Sequence, residues 1–233
     1  MTAAARTLLA MDAAGAACSV ALWSRGAVAA RRFVAMARGQ SERLVPMIGE
    51  VMAEWGGGFG ALDAIAVTTG PGGFTGVRIG LATARGLALA RGLPLIGVTS
   101  FEVSAASASA DERAGRSILA AIDSKRAAFF LQAFDADLGE LTPAAEVPLA
   151  ELPTALPPGP LVLTGDAAAR VAAVVAAAGR RDTILAAAAG PADAALLAAC
   201  AALRDPVAVS GAEPVYLRAP DVTPPADGTV RPR

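Results

Sequence analysis

The chain reads Gly70-Pro-Gly-Gly-Phe-Thr-Gly-Val-Arg-Ile-Gly-Leu-Ala-Thr-Ala-Arg-Gly-Leu-Ala-Leu-Ala90 over its most informative stretch. The apolar and β-branched residues 64–69 before it predict a strand, and residues 70–73 predict a tight turn. The residues that follow predict a helix to about Arg91, with Thr75 as its N-cap. A strand, a turn and a helix in direct succession indicate an α/β fold.

The predicted helix contains glycine where alanine would be more stable, at Gly76, Gly80 and Gly86. Each interior glycine costs roughly 1 kcal/mol relative to alanine, so we expect a compensating gain. Gly76, Gly80, Ala84 and Ala88 recur at every fourth position, and a stripe of small residues lets another backbone pack closely. The neighbour is either a second helix or the sheet on which the helix lies.

The glycine-rich turn also has one feature of a phosphate-binding loop, because a turn that opens a helix presents free N–H groups to an anion. The remaining features of such loops are absent. A Walker loop ends in Gly-Lys-Ser/Thr, whereas residues 73–75 are Gly-Phe-Thr, and a dinucleotide fingerprint needs glycine where Thr75 stands. The sequence therefore argues against nucleotide binding at this turn.

Composition limits the classes of function. The 233 residues include 20 basic and 21 acidic side chains, for a net charge of −1. A protein that binds tRNA or DNA alone usually has a basic excess, so we expect any nucleic-acid role to depend on a partner. Cys18 and Cys200 are isolated, which favours neither a zinc site nor a disulfide framework and fits a cytoplasmic protein. No stretch is apolar enough to predict a membrane span.

The chain contains no histidine. Ser-His-Asp and Cys-His catalysis and histidine-based metal sites are therefore excluded. Carboxylates, hydroxyl groups, the backbone and a single lysine, Lys125, are the groups that remain.

The first part of the chain predicts a βββαβα unit of about a hundred residues. We expect Pro46 to limit the first helix to its early turns, and Thr99 or Ser100 to cap the last one. The predicted strands are 7–12, 18–23, 27–33, 64–69 and 93–98, and the first predicted helix is 41–54. Residues 1–104 are predicted to form the N-terminal lobe.

A second unit begins near Ser117, where residues 118–123 repeat the pattern of residues 8–12, and both segments end in aspartate. Strands are predicted at 129–134 and at 161–164, the latter leading through Gly165-Asp166 into an alanine-rich helix. Residues 153–160 are expected to be a surface connection. The predicted C-terminal lobe is a reduced copy at 105–218, followed by a flexible tail at 219–233.

Two α/β halves that each open with a strand ending in aspartate resemble the actin-like ATPase (ASKHA) superfamily. The resemblance implies a two-lobed fold with a nucleotide cleft between Asp12 and Asp123, near Gly165. The hairpins depart from that pattern, because alanines follow Asp12 and Ser124-Lys125-Arg126 follows Asp123. The cleft is thus either vestigial, with each aspartate capping a turn, or that of a small magnesium-dependent ATPase.

Within that superfamily, residues 69–88 resemble the signature of the TsaB (YeaZ) family, a subunit of the bacterial tRNA threonylcarbamoyladenosine machinery. Further matches lie at 41–44, 97–102, 122–123 and 214–218. The resemblance implies a non-catalytic dimerization subunit that binds and activates a homologous catalytic subunit, TsaD. That complex threonylcarbamoylates the tRNA adenosine beside the anticodon.

The resemblance also implies the partners and the contact residues. TsaD forms a heterodimer with this subunit, a TsaE-type ATPase joins the larger complex, and the subunit alone forms a homodimer in one alternative. ATP and metal belong to the partner subunits, and this chain alone binds no cofactor. Two helices form one side of a four-helix interface, and the implied contacts are Leu44, Met47, Ile48, Val51, Gly76, Val77, Arg78, Gly80, Leu81, Ala84 and Arg85. Gln40 departs from the histidine that many relatives have.

Overall fold

A computed structural model describes residues 6–204 and 212–218. The first lobe is built on a mixed five-stranded sheet with the order β3-β2-β1-β4-β5. Its first three strands form an antiparallel meander, and the last two run parallel to the central strand β1. The strands are β1 (Leu8–Asp12), β2 (Ala17–Ser24), β3 (Ala27–Ala35), β4 (Ala64–Thr68) and β5 (Leu95–Val98).

Two long helices cover one face of this sheet, α1 (Gln40–Trp55) and α2 (Phe74–Arg91). Their apolar sides bury residues that include Leu44 and Leu81 against the strands. Pro46 lies inside α1, so the prediction that it would limit the helix was wrong. The buried stripe on both sides of Pro46 stabilises the helix, while Pro46 and Glu42, whose carbonyl loses a donor, are exposed.

The helix starts differ in how well they were predicted. Thr75 is not the N-cap of α2, because that position belongs to Gly73, which has no side chain to cap with. The Gly73 N–H instead donates to the Ala14 carbonyl at 2.7 Å. Thr99 does cap the next helix, α3 (Ser100–Ala105), in a capping box with Glu102. A further single turn, α4, spans Ala110–Arg113.

The second lobe repeats the first sheet with the order β10-β9-β6-β7-β8. Its central strand β6 also has an antiparallel partner on one side and a parallel one on the other. The bounds are β6 (Ser117–Arg126), β7 (Ala128–Phe134), β8 (Ala145–Pro148), α5 (Leu152–Ala155), β9 (Leu161–Thr164), α6 (Ala168–Ala177), β10 (Thr183–Leu185) and α7 (Ala194–Ala202). The second lobe is a reduced copy of the first. Where the long helix α1 precedes β4 in the first lobe, the single turn α5 precedes β9 in the second.

The elements do not stay within their own halves of the sequence. Helix α7 lies on the face of the first sheet opposite α1 and α2, where Leu197 and Ala198 pack against Leu8 and Ala10. Helix α3 packs on the second sheet, with Phe101 in that core. The division at 104/105 therefore follows the chain order but not the packing of α3 and α7. The predicted tail at 219–233 lies outside the described residues.

Within the part of the chain that the structure describes, no helix is long and apolar enough to cross a membrane.

Candidate partner-binding face and interlobe cleft

The glycines at the start of α2 allow close packing within the chain. A Cβ atom on Gly72 would overlap the Ala14 carbonyl oxygen, and one on Gly76 would overlap the Ala13 carbonyl oxygen. The close neighbour of this turn is therefore the β1–β2 hairpin, which is neither of the two neighbours expected from sequence. Gly80 does face its own sheet, because its Cβ would lie 3.5 Å from Val67 Cγ2.

Most of the predicted contact residues lie in the core of the chain itself. The buried ones share the sheet-facing sides of α1 and α2, and they are Leu44, Met47, Ile48, Val51, Val77, Gly80, Leu81 and Ala84. In this structure their side chains are not available to a partner. A period of 3.6 residues identifies an apolar stripe but does not say whether a sheet or another protein covers it.

The opposite sides of the same helices are exposed and partly apolar. Val45 on α1 has 61% of its surface exposed, and Leu89 on α2 has 77%. Gly49 and Gly86 are also exposed, and a Cβ on either would meet nothing within 4 Å. Together with Ala82, these residues form one stripe on each helix at spacings of three and four. We call this surface of Val45, Gly49, Ala82, Gly86 and Leu89 the outer face.

Arg78 and Arg85, two further predicted contacts, bind the chain's own segment 212–218. The Arg78 guanidinium lies 3.6 Å from the centroid of the Phe74 ring, and its Nε donates to the Tyr216 hydroxyl at 3.1 Å. Arg85 Nη2 donates to the Ala212 carbonyl at 2.7 Å. Both arginines therefore hold this segment against α2, at the edge of the outer face.

Segment 212–218 connects the two lobes. The Val215 N–H donates to the Thr69 carbonyl in the first lobe at 2.8 Å. Arg218 forms an ion pair with Glu146 of the second lobe and lies 5.8 Å from the Phe130 ring centroid. The sequence match at 214–218 thus has a structural role in this chain.

Asp12 is completely buried at the end of β1. Its Oδ1 accepts hydrogen bonds from the Thr68 hydroxyl and from the Ala14 N–H, while Oδ2 has no partner within the described ranges. Burial raises the pKa of Asp12 to about 6, and the negative charges of Asp166 and Asp193 raise it further. The two hydrogen bonds lower the pKa but do not outweigh these effects. Solvent does not reach this carboxyl group.

Asp123 has the opposite environment at the end of the corresponding strand. Its carboxylate accepts from the Lys125 N–H at 2.9 Å, from Lys125 Nζ at 3.1 Å and from Arg170 Nη1 at 3.1 Å. Burial alone would raise the pKa of Asp123, but these hydrogen bonds and positive charges outweigh it and lower the pKa. The carboxylate is therefore neutralised by cations of its own chain.

Asp166, which sequence reasoning did not select, is the second-lobe carboxylate whose charge acts on Asp12. It accepts from the Asp123 N–H at 2.8 Å, and burial raises its pKa. Its position directly after a parallel strand was a usable signal, since ligand sites of α/β sheets lie at such strand ends. The adjacent Gly165 has a φ of 93° and no room for a Cβ beside the Ala121 carbonyl, so packing explains it.

These residues do not fit a magnesium–nucleotide site built on Asp12 and Asp123. The first carboxyl group is closed off from solvent, and the second is paired with Lys125 and Arg170. No group of three potential metal-ligating side chains occurs among residues 6–204 and 212–218.

Comparison with known proteins identifies the family. A family model described as TsaD: tRNA N6-adenosine threonylcarbamoyltransferase matches residues 34–197, which is more than half of the chain. The chain belongs to this family. The chain is also similar to a tRNA N6-adenosine threonylcarbamoyltransferase of Erythrobacter litoralis. The two are 50% identical over 66 residues, which make up 28% of this chain and 19% of that protein.

The TsaB members are also similar to the chain. The tRNA threonylcarbamoyladenosine biosynthesis protein TsaB of Escherichia coli is 43% identical over 118 residues, 51% of this chain and 50% of the relative. The match thus spans about half the length of this curated relative. The solved structure of YeaZ from Pseudomonas aeruginosa has a TM-score of 0.76 at 28% identity and covers 91% of this chain and 99% of that one.

A second solved structure is described as an uncharacterized protein with similarity to peptidase YEAZ, also from Pseudomonas aeruginosa. It has a TM-score of 0.77 at 28% identity and covers 91% of this chain and all of that one. The predicted resemblance to TsaB (YeaZ) and the predicted two-lobed α/β fold are both confirmed.

Proposed function

We propose that the chain is a non-catalytic dimerization subunit in the biosynthesis of tRNA threonylcarbamoyladenosine. It binds a TsaD-type catalytic subunit and activates it for transfer to the tRNA adenosine beside the anticodon. Membership in the TsaD family and the similarity to proteins named TsaB support this function.

The observation that carries the proposal is the outer face of α1 and α2. Val45 and Leu89 are exposed on adjacent helices, and exposed apolar surface shared by neighbouring elements is typical of a protein–protein contact. The open space above Gly49 and Gly86 lets partner helices approach closely, which is a compensating gain for the two glycines that have no close neighbour among the described residues. The proposed interface therefore uses the same two helices as the sequence prediction, but their exposed sides.

The side chains at the cleft favour a scaffold over an enzyme. Histidine is absent from the chain, Asp12 is buried, and Asp123 is paired with two cations. Under this proposal ATP and metal are bound in the partner subunits, a TsaE-type ATPase joins the complex, and tRNA is reached only through the complex. Nothing in the cleft geometry favours the alternative of an ATPase using Asp12 and Asp123.

The test is a reconstitution with a TsaD-type subunit. We expect a one-to-one complex in size-exclusion chromatography with light scattering. We also expect tRNA threonylcarbamoylation, measured with the remaining subunits and the threonylcarbamoyl donor, to require this chain. The double substitution Val45→Asp and Leu89→Asp should weaken the complex by a factor of about a hundred or more, because it places two charges in an apolar contact.

The matched control is Leu203→Asp, since Leu203 on a different surface is 83% exposed, close to the value for Leu89. It should leave the complex and the activity unchanged. Circular dichroism of each variant reports whether the fold is retained. Equal binding by the outer-face variant and the control, or a chain that adds nothing to tRNA modification, would contradict the proposal.

A further inference from the structure

Two aromatic side chains are exposed side by side at the start of α2. Phe74 opens the helix with 47% of its surface exposed, and Tyr216 of segment 212–218 is 45% exposed. Their ring centroids are 5.6 Å apart, at an interplanar angle of 37°. Together with Arg78, which is also exposed, they form a surface that we call the aromatic platform.

The Arg78 guanidinium is held in place but keeps most of its donors. It stacks on the Phe74 ring, and the hydrogen bond from its Nε to the Tyr216 hydroxyl fixes the orientation of the group. Its two Nη groups donate to no residue among 6–204 and 212–218, and Arg78 forms no ion pair within those ranges. An arginine that is already oriented loses little side-chain freedom when it binds a carboxylate.

Segment 212–218 is anchored on both sides of Tyr216. The buried Ala212 belongs to the core of the first lobe, and the partly buried Leu217 packs against the core of the second. The tyrosine ring is therefore carried by a segment with little freedom to move. Rigid aromatic side chains supply contact area to a partner at a low cost in conformational entropy.

The platform continues the outer face along α2. Arg78 lies four residues before Ala82, so the two are about 6 Å apart along the helix axis and on the same side. The exposed residues on this side of the helix are Arg78, Ala82, Gly86 and Leu89. A partner that covers the outer face therefore also covers the platform unless it ends within one helical turn.

The charges around the platform narrow the chemistry of its partner. Arg78 keeps free donors, whereas the next arginine along α2, Arg85, donates to the Ala212 carbonyl and pairs with Glu213. Binding to RNA depends on several phosphate contacts, so one such cation contributes little to it. Protein interfaces, in contrast, are enriched in tyrosine, phenylalanine and arginine. The platform therefore fits an acidic side chain that is surrounded by apolar groups.

We propose that the aromatic platform is a second contact for the TsaD-type subunit and receives one carboxylate side chain of that subunit. The carboxylate accepts from the Nη groups of Arg78, and the rings of Phe74 and Tyr216 exclude water around it. Tyr216 is also a positioning residue for Arg78. The inference rests on the proposed function, because it requires the same partner on the outer face.

Chemical modification of the unaltered chain tests whether the partner covers the platform. Tyr216 is the one tyrosine of the sequence, so its nitration by tetranitromethane, located by mass spectrometry, reports on this surface. We expect nitration in the chain alone and nitration about tenfold slower in the complex, because interface contacts exclude solvent. The double substitution Val45→Asp and Leu89→Asp should remove this protection, because it weakens the complex.

Two substitutions assign the roles, with the affinity for the TsaD-type subunit as the readout. Arg78→Gln should weaken the complex about tenfold to a hundredfold, because a charged hydrogen bond is lost, and the difference should shrink in high salt. Tyr216→Phe keeps the ring but removes the hydroxyl group, and it should weaken the complex about threefold to tenfold. In an Arg78→Gln background, Tyr216→Phe should have almost no further effect, because its hydroxyl acts through Arg78.

The matched control is Arg91→Gln, because Arg91 is an exposed arginine at the other end of α2. It should leave the affinity unchanged. Circular dichroism and the unfolding temperature report whether each variant keeps its fold.

The outcomes separate this inference from the proposed function. Absence of any complex would overturn both. A complex that depends on Val45 and Leu89 but leaves Tyr216 open to nitration, or that binds the Arg78→Gln variant as tightly as the parent, would overturn this inference alone. So would a loss of tRNA binding by the assembled complex, or of self-association by the chain alone, with unchanged affinity for the TsaD-type subunit.

Discussion

The hairpins that follow β1 and β6 occupy equivalent places in the two lobes, yet different forces hold them. The first hairpin is held by packing, because Ala13 and Ala14 fit against glycines of the α2 turn and Asp12 is buried beneath them. The second is held by charge, since Asp123 pairs with Lys125 and Arg170 near the surface. Two copies of one motif are therefore stabilised by different interactions.

The largest expected effect comes from filling the space between the first hairpin and α2. Gly76→Ala places a methyl group where the Ala13 carbonyl oxygen lies, and neither backbone can move without disturbing β1. We expect a loss of more than about 3 kcal/mol in the free energy of unfolding, at the upper end for overpacking. Urea unfolding followed by circular dichroism measures it.

Gly86→Ala is the control for this prediction, because Gly86 is also interior to α2 but has open space above it. It should stabilise the chain by about 0.5 to 1 kcal/mol. Similar values for the two variants would show that packing against the hairpin does not hold the first lobe together.

A smaller effect is expected from the buried carboxyl group of that hairpin. The folded-state pKa of Asp12, about 6, lies above its ordinary value of 3.8, so folding favours the protonated form. Its contribution to stability is fully present below about pH 4 and is lost as the pH rises through 6. The raised pKa corresponds to a loss of about 3 kcal/mol in the free energy of unfolding at neutral pH.

Asp12→Asn should remove most of this loss. The asparagine Nδ2, which takes the place of Oδ2, also lacks a hydrogen-bond partner in the described part of the chain. We therefore expect the free energy of unfolding of the variant to exceed that of the parent by about 2 kcal/mol at pH 7.5. The difference between the two unfolding free energies should shrink as the pH falls to 4. A difference that does not change over this range would mean that Asp12 titrates normally in the folded chain.

The smallest effect is expected in the second hairpin. Lys125→Met should lower the free energy of unfolding by less than about 1 kcal/mol, because Lys125 and Asp123 are both partly exposed to solvent. The lowered pKa of Asp123 means that the pair contributes stability above the ordinary pKa of 3.8 and loses it as the pH falls through the lowered value. Unfolding in low and high salt should show the contribution disappearing with ionic strength.

A double-mutant cycle separates the pair from other roles of Lys125. In an Asp123→Asn background, Lys125→Met should have almost no further effect. A cost above that for Gly76→Ala would reverse the comparison, because charge would then matter more in the second hairpin than packing does in the first.

The same contrast explains how much the sequence could predict. Strand and helix positions followed from periodicity, and the two-lobed fold followed from the repeated strand that ends in aspartate. Gly76 predicted a close neighbour, but only tertiary structure shows that this neighbour is the Ala13-Ala14 hairpin. A backbone contact between distant segments leaves no pattern of its own in the sequence.

The contact residues implied by the family resemblance stay a prediction. Most of them lie on the apolar sides of α1 and α2, and a sheet of the same chain covers those sides. The outer face has fewer large apolar residues and a weaker pattern, so it becomes visible only when exposure is known. Asp166 was overlooked because its relation to Asp12 depends on how two strand ends meet.

The return of α7 to the first sheet has a consequence for synthesis on the ribosome. One face of the first sheet, which includes Leu8, Ala10 and Ala66, packs against residues of α7 that are translated after the whole second sheet. The N-terminal half of the chain therefore emerges with an apolar face that stays open until Ala202 has left the exit tunnel. A cut between the two lobes would therefore separate the first sheet from the helix that covers one of its faces.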